Sequence, residues 1–282
     1  MARPKIKEHE GRLYFFRFTL NQRIQHVILF VCVILLVLTG MPLKFHDQEW
    51  AAWLYRLFGG IDAAPIVHRV TGAVLLTLFA YHLGYLARTI WTGSLRPLKR
   101  AGELNLKSLI KTLITQPLVP SFKDAKDILA LVKYLLYLSP QRPEGERFTW
   151  KEKADYLAPF WGIAVIGGTG AMMWNLEATT QVLPGWALNY ALIAHSEEAL
   201  LAALFLFMWH WYNVHFSVHV FPMSSTFITG YMSEELMIEE HYLQYISMMN
   251  KAGLQDRIKP MHGSELDVSP EPPPQAEPGG DS

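Results

Sequence analysis

Four apolar stretches, Ile24–Pro42, Ala63–Trp91, Leu157–Leu176 and Gly185–Val220, constrain this 282-residue chain more than any other feature. Each reaches roughly the 20 residues that an α-helix needs to cross a hydrocarbon layer ~30 Å thick. The third carries no charged residue, the second only Arg69 before Arg88 near its end, and the fourth only Glu197 and Glu198. The expected fold class is all-α: an integral membrane four-helix bundle surrounded by lipid.

Formal net charge is zero, so the total gives no footprint for nucleic acid. The distribution says more. Lys and Arg number six before residue 24, two between the first two stretches, thirteen from Arg88 to Lys153 and none between the third and fourth. Basic residues stay on the cytoplasmic side, so the amino terminus and the long loop are expected inside, and an even number of spans puts the carboxyl terminus there too, in a multi-pass protein of a bacterial inner membrane. The expected order is a cytoplasmic segment 1–23, a membrane domain 24–220, a cytoplasmic segment 221–261 and a disordered Pro/Gly-rich tail 262–282. The inner loop 92–155 contains two amphipathic patterns, Asn105–Thr115 and Phe122–Leu138. They suit the membrane surface or a packing partner equally. Met1–Arg23 is too polar for a cleavable signal.

Cys32 is the single cysteine, which excludes an intrachain disulfide, a thiolate cluster and covalent haem attachment through C-x-x-C-H. It reads as a small buried hydrophobe.

Histidine carries the chemistry. His68 and His82 lie fourteen residues apart in the second stretch, His195 and His210 fifteen apart in the fourth, and His26 lies in the first. At ~1.5 Å per residue each pair spans ~21 Å, most of the hydrocarbon depth. Fourteen residues turn a helix to ~40° short of whole turns and fifteen to ~60° past them, so each pair faces roughly one side. Polar side chains inside a membrane usually mark a function. A single histidine would more often be a hydrogen-bonded packing residue, but histidines at two matched depths suggest axial ligands to two stacked b-type haems. Gly72, Ala191, Ala199 and Gly84 flank the histidines, and Gly167, Gly168 and Gly170 lie mid-membrane. These small residues admit either a flat macrocycle or a neighbouring helix.

Arg17-Phe18-Thr19, Arg23, His26 and Thr39-Gly40 resemble the first-helix signature of the di-haem cytochrome b subunits of formate dehydrogenase and nickel–iron hydrogenases. His68-Arg69, His195 and His210 fall where that family places its other ligands. Thr229-Gly230-Tyr231, Glu234-Glu235 and Glu239-Glu240-His241 resemble its closing segment. The resemblance implies an outer haem between His68 and His195 and an inner haem between His26 and His210. It also implies a menaquinone or ubiquinone pocket beside the inner haem and a redox partner outside, such as an iron–sulfur subunit. The stretch from His210 to His215 with Phe221-Pro222 looks more like cytochromes b associated with multihaem c-type partners. His82 or His215 is then an alternative inner ligand, a quinone contact or part of a third site.

Arg69 either neutralises a haem propionate or snorkels outward. Glu197 and Glu198 either cap the N-terminus of the fourth helix or relay protons. His215 and His219 belong at the hydrated inner boundary, and His9, His46 and His262 read as solvated. The leading expectation is a respiratory subunit that moves electrons between quinone and a partner. The alternative is a non-redox membrane anchor or transporter whose histidines relay protons.

Overall fold

The computed structural model describes residues 5–140 and 142–261. The tail expected to be disordered, with His262, lies outside the described residues. Four helices are long and apolar enough to cross a membrane: Leu20–Lys44, Ala63–Arg100, Trp150–Trp174 and Trp186–Phe216. All four apolar stretches are therefore helical, with shifted ends. The second helix runs past Trp91 because a π-turn, Trp91–Leu95, joins it to Arg96–Arg100. Pro97 is tolerated there because it falls in a first turn. The third starts earlier, at Trp150, where Thr149 and Glu152 form a capping box. The fourth stops at Phe216, since Ser217 adopts extended backbone (φ −60°, ψ 139°).

The first helix packs mainly along the second and the third along the fourth, giving two hairpins side by side. Their outer surfaces are apolar and exposed, with Phe30, Val31, Ile66, Val70, Leu201 and Phe207 among the residues pointing away from the protein. Contiguous apolar surface on this scale marks a face made for lipid.

The core sealed by protein lies at one end of the bundle. β1 (Ile6–His9) and β2 (Arg12–Phe16) form a hairpin with positive φ at Glu10 (51°) and Gly11 (75°), the condition for a type I′ turn. β3 (Tyr231–Ser233) pairs with β2, giving an antiparallel sheet in the order β1-β2-β3. This sheet is one addition to the expected all-helical fold. Helices Glu234–Glu240 and Tyr242–Ala252 close over it, burying Leu13, Phe15, Met232, Met237, Ile238, Tyr245 and Met249. The segments before and after the bundle thus make one cap.

Arg17 locks the cap to the bundle. It is buried, donates to the Arg147 carbonyl (2.7 Å), pairs with Glu152 (3.1 Å) and bonds Gln244. The end of the long loop is stitched in by Arg142 to Glu239 (2.7 Å), Lys151 to Glu240 (3.3 Å) and the Leu243 amide to the Gly145 carbonyl (3.0 Å). Within that loop, helix Phe122–Leu135 is tied to the third span by Asp124 and Lys153 (2.7 Å), and Leu106–Ile114 is capped by Asn105. Thr19 caps the first span together with Gln22, so Arg17 and Thr19 of the first-helix motif have structural duties.

His241 donates its Nδ1–H to the Glu146 carbonyl (2.7 Å) inside this cap. Burial, reinforced by the Arg17 guanidinium, pushes its pKa down to about 3. An unfolded histidine titrates near 6.5. Below that pH the unfolded chain takes up a proton that the folded cap refuses, so cap stability falls from about pH 6.5 towards 3. By about pH 5 the loss should approach about 2 kcal/mol. Amide protection factors over residues 231–252, corrected for the intrinsic exchange rate, should fall between about pH 7 and 5, and His241→Gln should flatten that dependence.

Candidate functional site

Of the six histidines in the four spans, four form two facing pairs. The rings of His68 and His195 stand 6.2 Å apart, centre to centre, at an interplanar angle of 67°. Those of His26 and His210 stand 6.4 Å apart at 47°. Each pair bridges the two hairpins. His26 is at the cap end, and Thr39, thirteen residues further along the first helix, lies against His68. The two levels are therefore ~20 Å apart. The fourth helix contains a π-turn at Leu206–His210. Such a turn consumes one more residue than an α-turn. The fifteen-residue spacing then behaves as fourteen, turning His210 to within ~40° of His195 rather than ~60° past it.

The level away from the cap is built from a repeated device. His68 bonds the backbone of Leu36, with Thr39 Oγ1 3.0 Å from its Nδ1. His195 Nδ1 donates to the Ile166 carbonyl (2.8 Å), with Thr169 Oγ1 at 3.3 Å. The next residue in each case is a glycine. A Cβ on Gly40 would stand 2.9 Å from His68 Cε1, and one on Gly170 would stand 3.0 Å from His195 Cε1. Leu36-x-x-Thr39-Gly40 and Ile166-x-x-Thr169-Gly170 thus hold one histidine each, on equivalent helices of the two hairpins. The other glycines differ. Gly167 accommodates Leu76, whereas Gly84 and Gly168 face open space.

The cap-end level is polar and asymmetric. His210 Nδ1 lies 3.2 Å from Asp155 Oδ2. His26 packs on Phe227 (5.4 Å), and its Nδ1 is buried without a partner. Arg23 Nε, Trp209 Nε1 and Asp155 Oδ1 are also buried and unpartnered.

His82 joins neither pair. Its Nδ1 meets Gln25 Oε1 (2.7 Å) and its Nε2 meets the Tyr156 hydroxyl (2.9 Å), so both ring nitrogens are already engaged. Gln25 precedes His26 and Tyr156 follows Asp155, so His82 ties the helix that carries His26 to the helix that carries Asp155, the partner of His210. His215 meets Trp211 edge to face (5.7 Å, 74°) and lies tilted against Phe216 (6.3 Å, 48°). His219 is exposed, 3.8 Å from Glu239, while His9 and His46 are exposed. Arg69 lies exposed beside His68. Helix capping by Glu197 and Glu198 is overturned. The helix begins at Trp186, and the field of its N-terminus fades within the first turn. Glu197 instead pairs with Lys44 (2.6 Å), which also reaches Ser196 (3.3 Å).

Among the described residues no group of three or more His, Cys, Asp or Glu converges on a metal position. A pair of imidazoles suffices where a macrocycle supplies the equatorial ligands. Two metal–nitrogen bonds of about 2 Å, with ring centres about 1.2 Å behind each nitrogen, put the centroids about 6.3 Å apart. Both pairs match. With the Nδ1 atoms of His68, His195 and His210 held by the protein, their Nε2 atoms are left to ligate, the usual division of labour in a metal-bound histidine. The residues fit haem at both levels.

No protein-family model and no curated protein matches the chain. The likeness to di-haem cytochromes b therefore rests on its motifs and its histidine geometry.

Sequence reasoning missed Ile166, Thr169, Asp155, Tyr156 and Gln25. The recurring Thr-Gly pair, 29 and 26 residues before its histidine, was the available signal for the first two. A branched side chain at Gly40 or Gly170 must push on an imidazole already fixed by a carbonyl. If haem occupies both levels, Gly40→Val or Gly170→Val should reduce it from roughly two to roughly one per chain, measured by pyridine haemochrome assay against protein. His26 and His210 should remain unaffected.

Proposed function

We propose that the chain is a membrane-embedded di-haem cytochrome b subunit of a respiratory complex, passing electrons between the quinone pool and a peripheral redox partner. The observation that carries this reading is the facing of His68 with His195 and of His26 with His210, at 6.2 and 6.4 Å. Haem bound there would supply reversible one-electron chemistry, and His68 with His195 and His26 with His210 are the residues that would hold it. The chain fixes ligand orientation, burial and local charge, the levers by which a protein tunes such a cofactor.

Charge distribution supports the sidedness. With basic residues retained inside, the cap and the His26–His210 level face the cytoplasm of a bacterial inner membrane, and both termini lie on that side. A menaquinone or ubiquinone headgroup is taken beside this inner level. Quinone chemistry exchanges protons as well as electrons, and the titratable groups here, Asp155, His82 and Tyr156, can hold or pass them. At the other end Lys44, Ser196 and Glu197 frame the approach to His195, where an iron–sulfur or multihaem c-type subunit docks. The primary substrate is handled by that partner, so this subunit conducts rather than catalyses.

The test is spectroscopic. The purified protein from haem-replete cells should be red, with a reducible b-type spectrum. His26→Ala should abolish the inner low-spin signal and quinone-linked reduction, while His82→Ala should retain that haem. A colourless preparation would overturn the reading and favour the proton-relay alternative. Loss of the inner haem in His82→Ala alone would make His82 the ligand.

Sidedness has its own check. A reporter fused near Glu103 should give the cytoplasmic signal and one near Glu177 the opposite. The reverse pattern would exchange inside and outside throughout.

A further inference from the structure

We infer that Asp155 is a positioning residue that sets the potential of the inner histidine pair, holding it below that of the outer pair. This rests on the haem reading above. The four candidate ligands differ in what meets their Nδ1. His68 Nδ1 meets the Thr39 hydroxyl (3.0 Å) and His195 Nδ1 the Ile166 carbonyl (2.8 Å), both neutral groups. His26 Nδ1 is buried without a partner. His210 alone faces a carboxylate, Asp155 Oδ2, at 3.2 Å.

An imidazole whose Nδ1–H is given to a carboxylate is a more basic ligand at its other nitrogen. The added electron density favours the oxidised metal, so the level holding that histidine takes up an electron less readily. Asp155 is well placed to act this way. Its Oδ1 is buried and unpartnered, so no second hydrogen bond draws its charge aside. The flanking cations are engaged elsewhere, Lys153 with Asp124 (2.7 Å) and Lys151 with Glu240 (3.3 Å). Its neighbour Tyr156 is fastened by His82 (2.9 Å), which fixes the turn that carries the carboxylate. Arg23, three residues before His26, is the opposing charge at this level. It acts only through space, whereas the carboxylate acts through the ligand itself. At the outer level the charges beside His195 are the paired Lys44 and Glu197, which largely cancel.

The experiment is a potentiometric titration of the full-length haem-loaded chain in detergent, followed optically. The unmodified protein should titrate as two components. Asp155→Asn keeps an acceptor for the Nδ1–H but removes the charge. It should raise the lower component at least tenfold in its reduction equilibrium constant, 59 mV for one electron, and leave the upper component in place. Asp155→Glu should restore most of the difference. In His195→Ala, which lacks the outer haem, the remaining haem should titrate as the lower component. This last result tests the order of the two levels, and Asp155→Glu tests the carboxylate if Asp155→Asn fails to retain its inner haem. Unchanged potentials in fully loaded Asp155→Asn, an equal shift of both components, or an upper-component value in His195→Ala would each overturn the role of Asp155. Absence of haem from the unmodified protein would instead overturn the reading on which it rests.

Discussion

An imidazole in hydrocarbon must find partners within the protein, because no water is there to supply them. The outer histidines meet this demand through the backbone itself. A helical carbonyl keeps a second lone pair after accepting from the residue four positions on. At Leu36 and Ile166 that later residue is Gly40 or Gly170, whose missing side chain opens the helix wall. The imidazole of the neighbouring helix reaches in, and Thr39 or Thr169 stands beside it. Helix–helix approach, ring orientation and the choice of free nitrogen all follow from this one contact, made once in each hairpin.

The bundle and the cap divide the work of stability. The spans are apolar on their outer faces and little buried by one another, so lipid completes their burial. The cap is built like a small soluble domain, with Phe15, Tyr245, Met237 and Met249 fully enclosed. Arg17 joins the two by reaching from β2 to the third span, the long loop and the last helix at once. Removing this guanidinium would leave buried acceptors unmet, a heavier cost than any exposed ion pair carries.

The two histidine levels are alike in spacing and unlike in surroundings. One is held by neutral backbone in a glycine-lined contact between helices. The other is surrounded by Asp155, Tyr156, Gln25, His82 and Arg23, next to the polar cap. Under the proposed function the first suits electron passage towards a partner, and the second suits chemistry in which protons accompany electrons.

Much was legible in the sequence because hydrocarbon imposes simple rules. Four long apolar runs dictate four helices, and the depth of each histidine follows from residue count and rise alone. What counting cannot give is rotation and partnership. His26 and His82 lie at similar depth, and periodicity on the second helix admits His82 as readily as His26. Tertiary packing gives them different partners, placing Gln25 and Tyr156 against both nitrogens of His82 and turning His26 towards His210. The π-turn at Leu206–His210 corrected the facing of His210 by a residue that no α-helical count contains. Glu197, which sequence position suggested as a cap, became the partner of Lys44 once the true start of its helix was fixed. The small sheet was hidden because its strands are short and the third lies more than two hundred residues from the strand it pairs with. Depth in the membrane is a property of one helix, so the sequence by itself determined it. Which side chains meet across helices depends on rotation and distant contacts, so only the folded chain decided that.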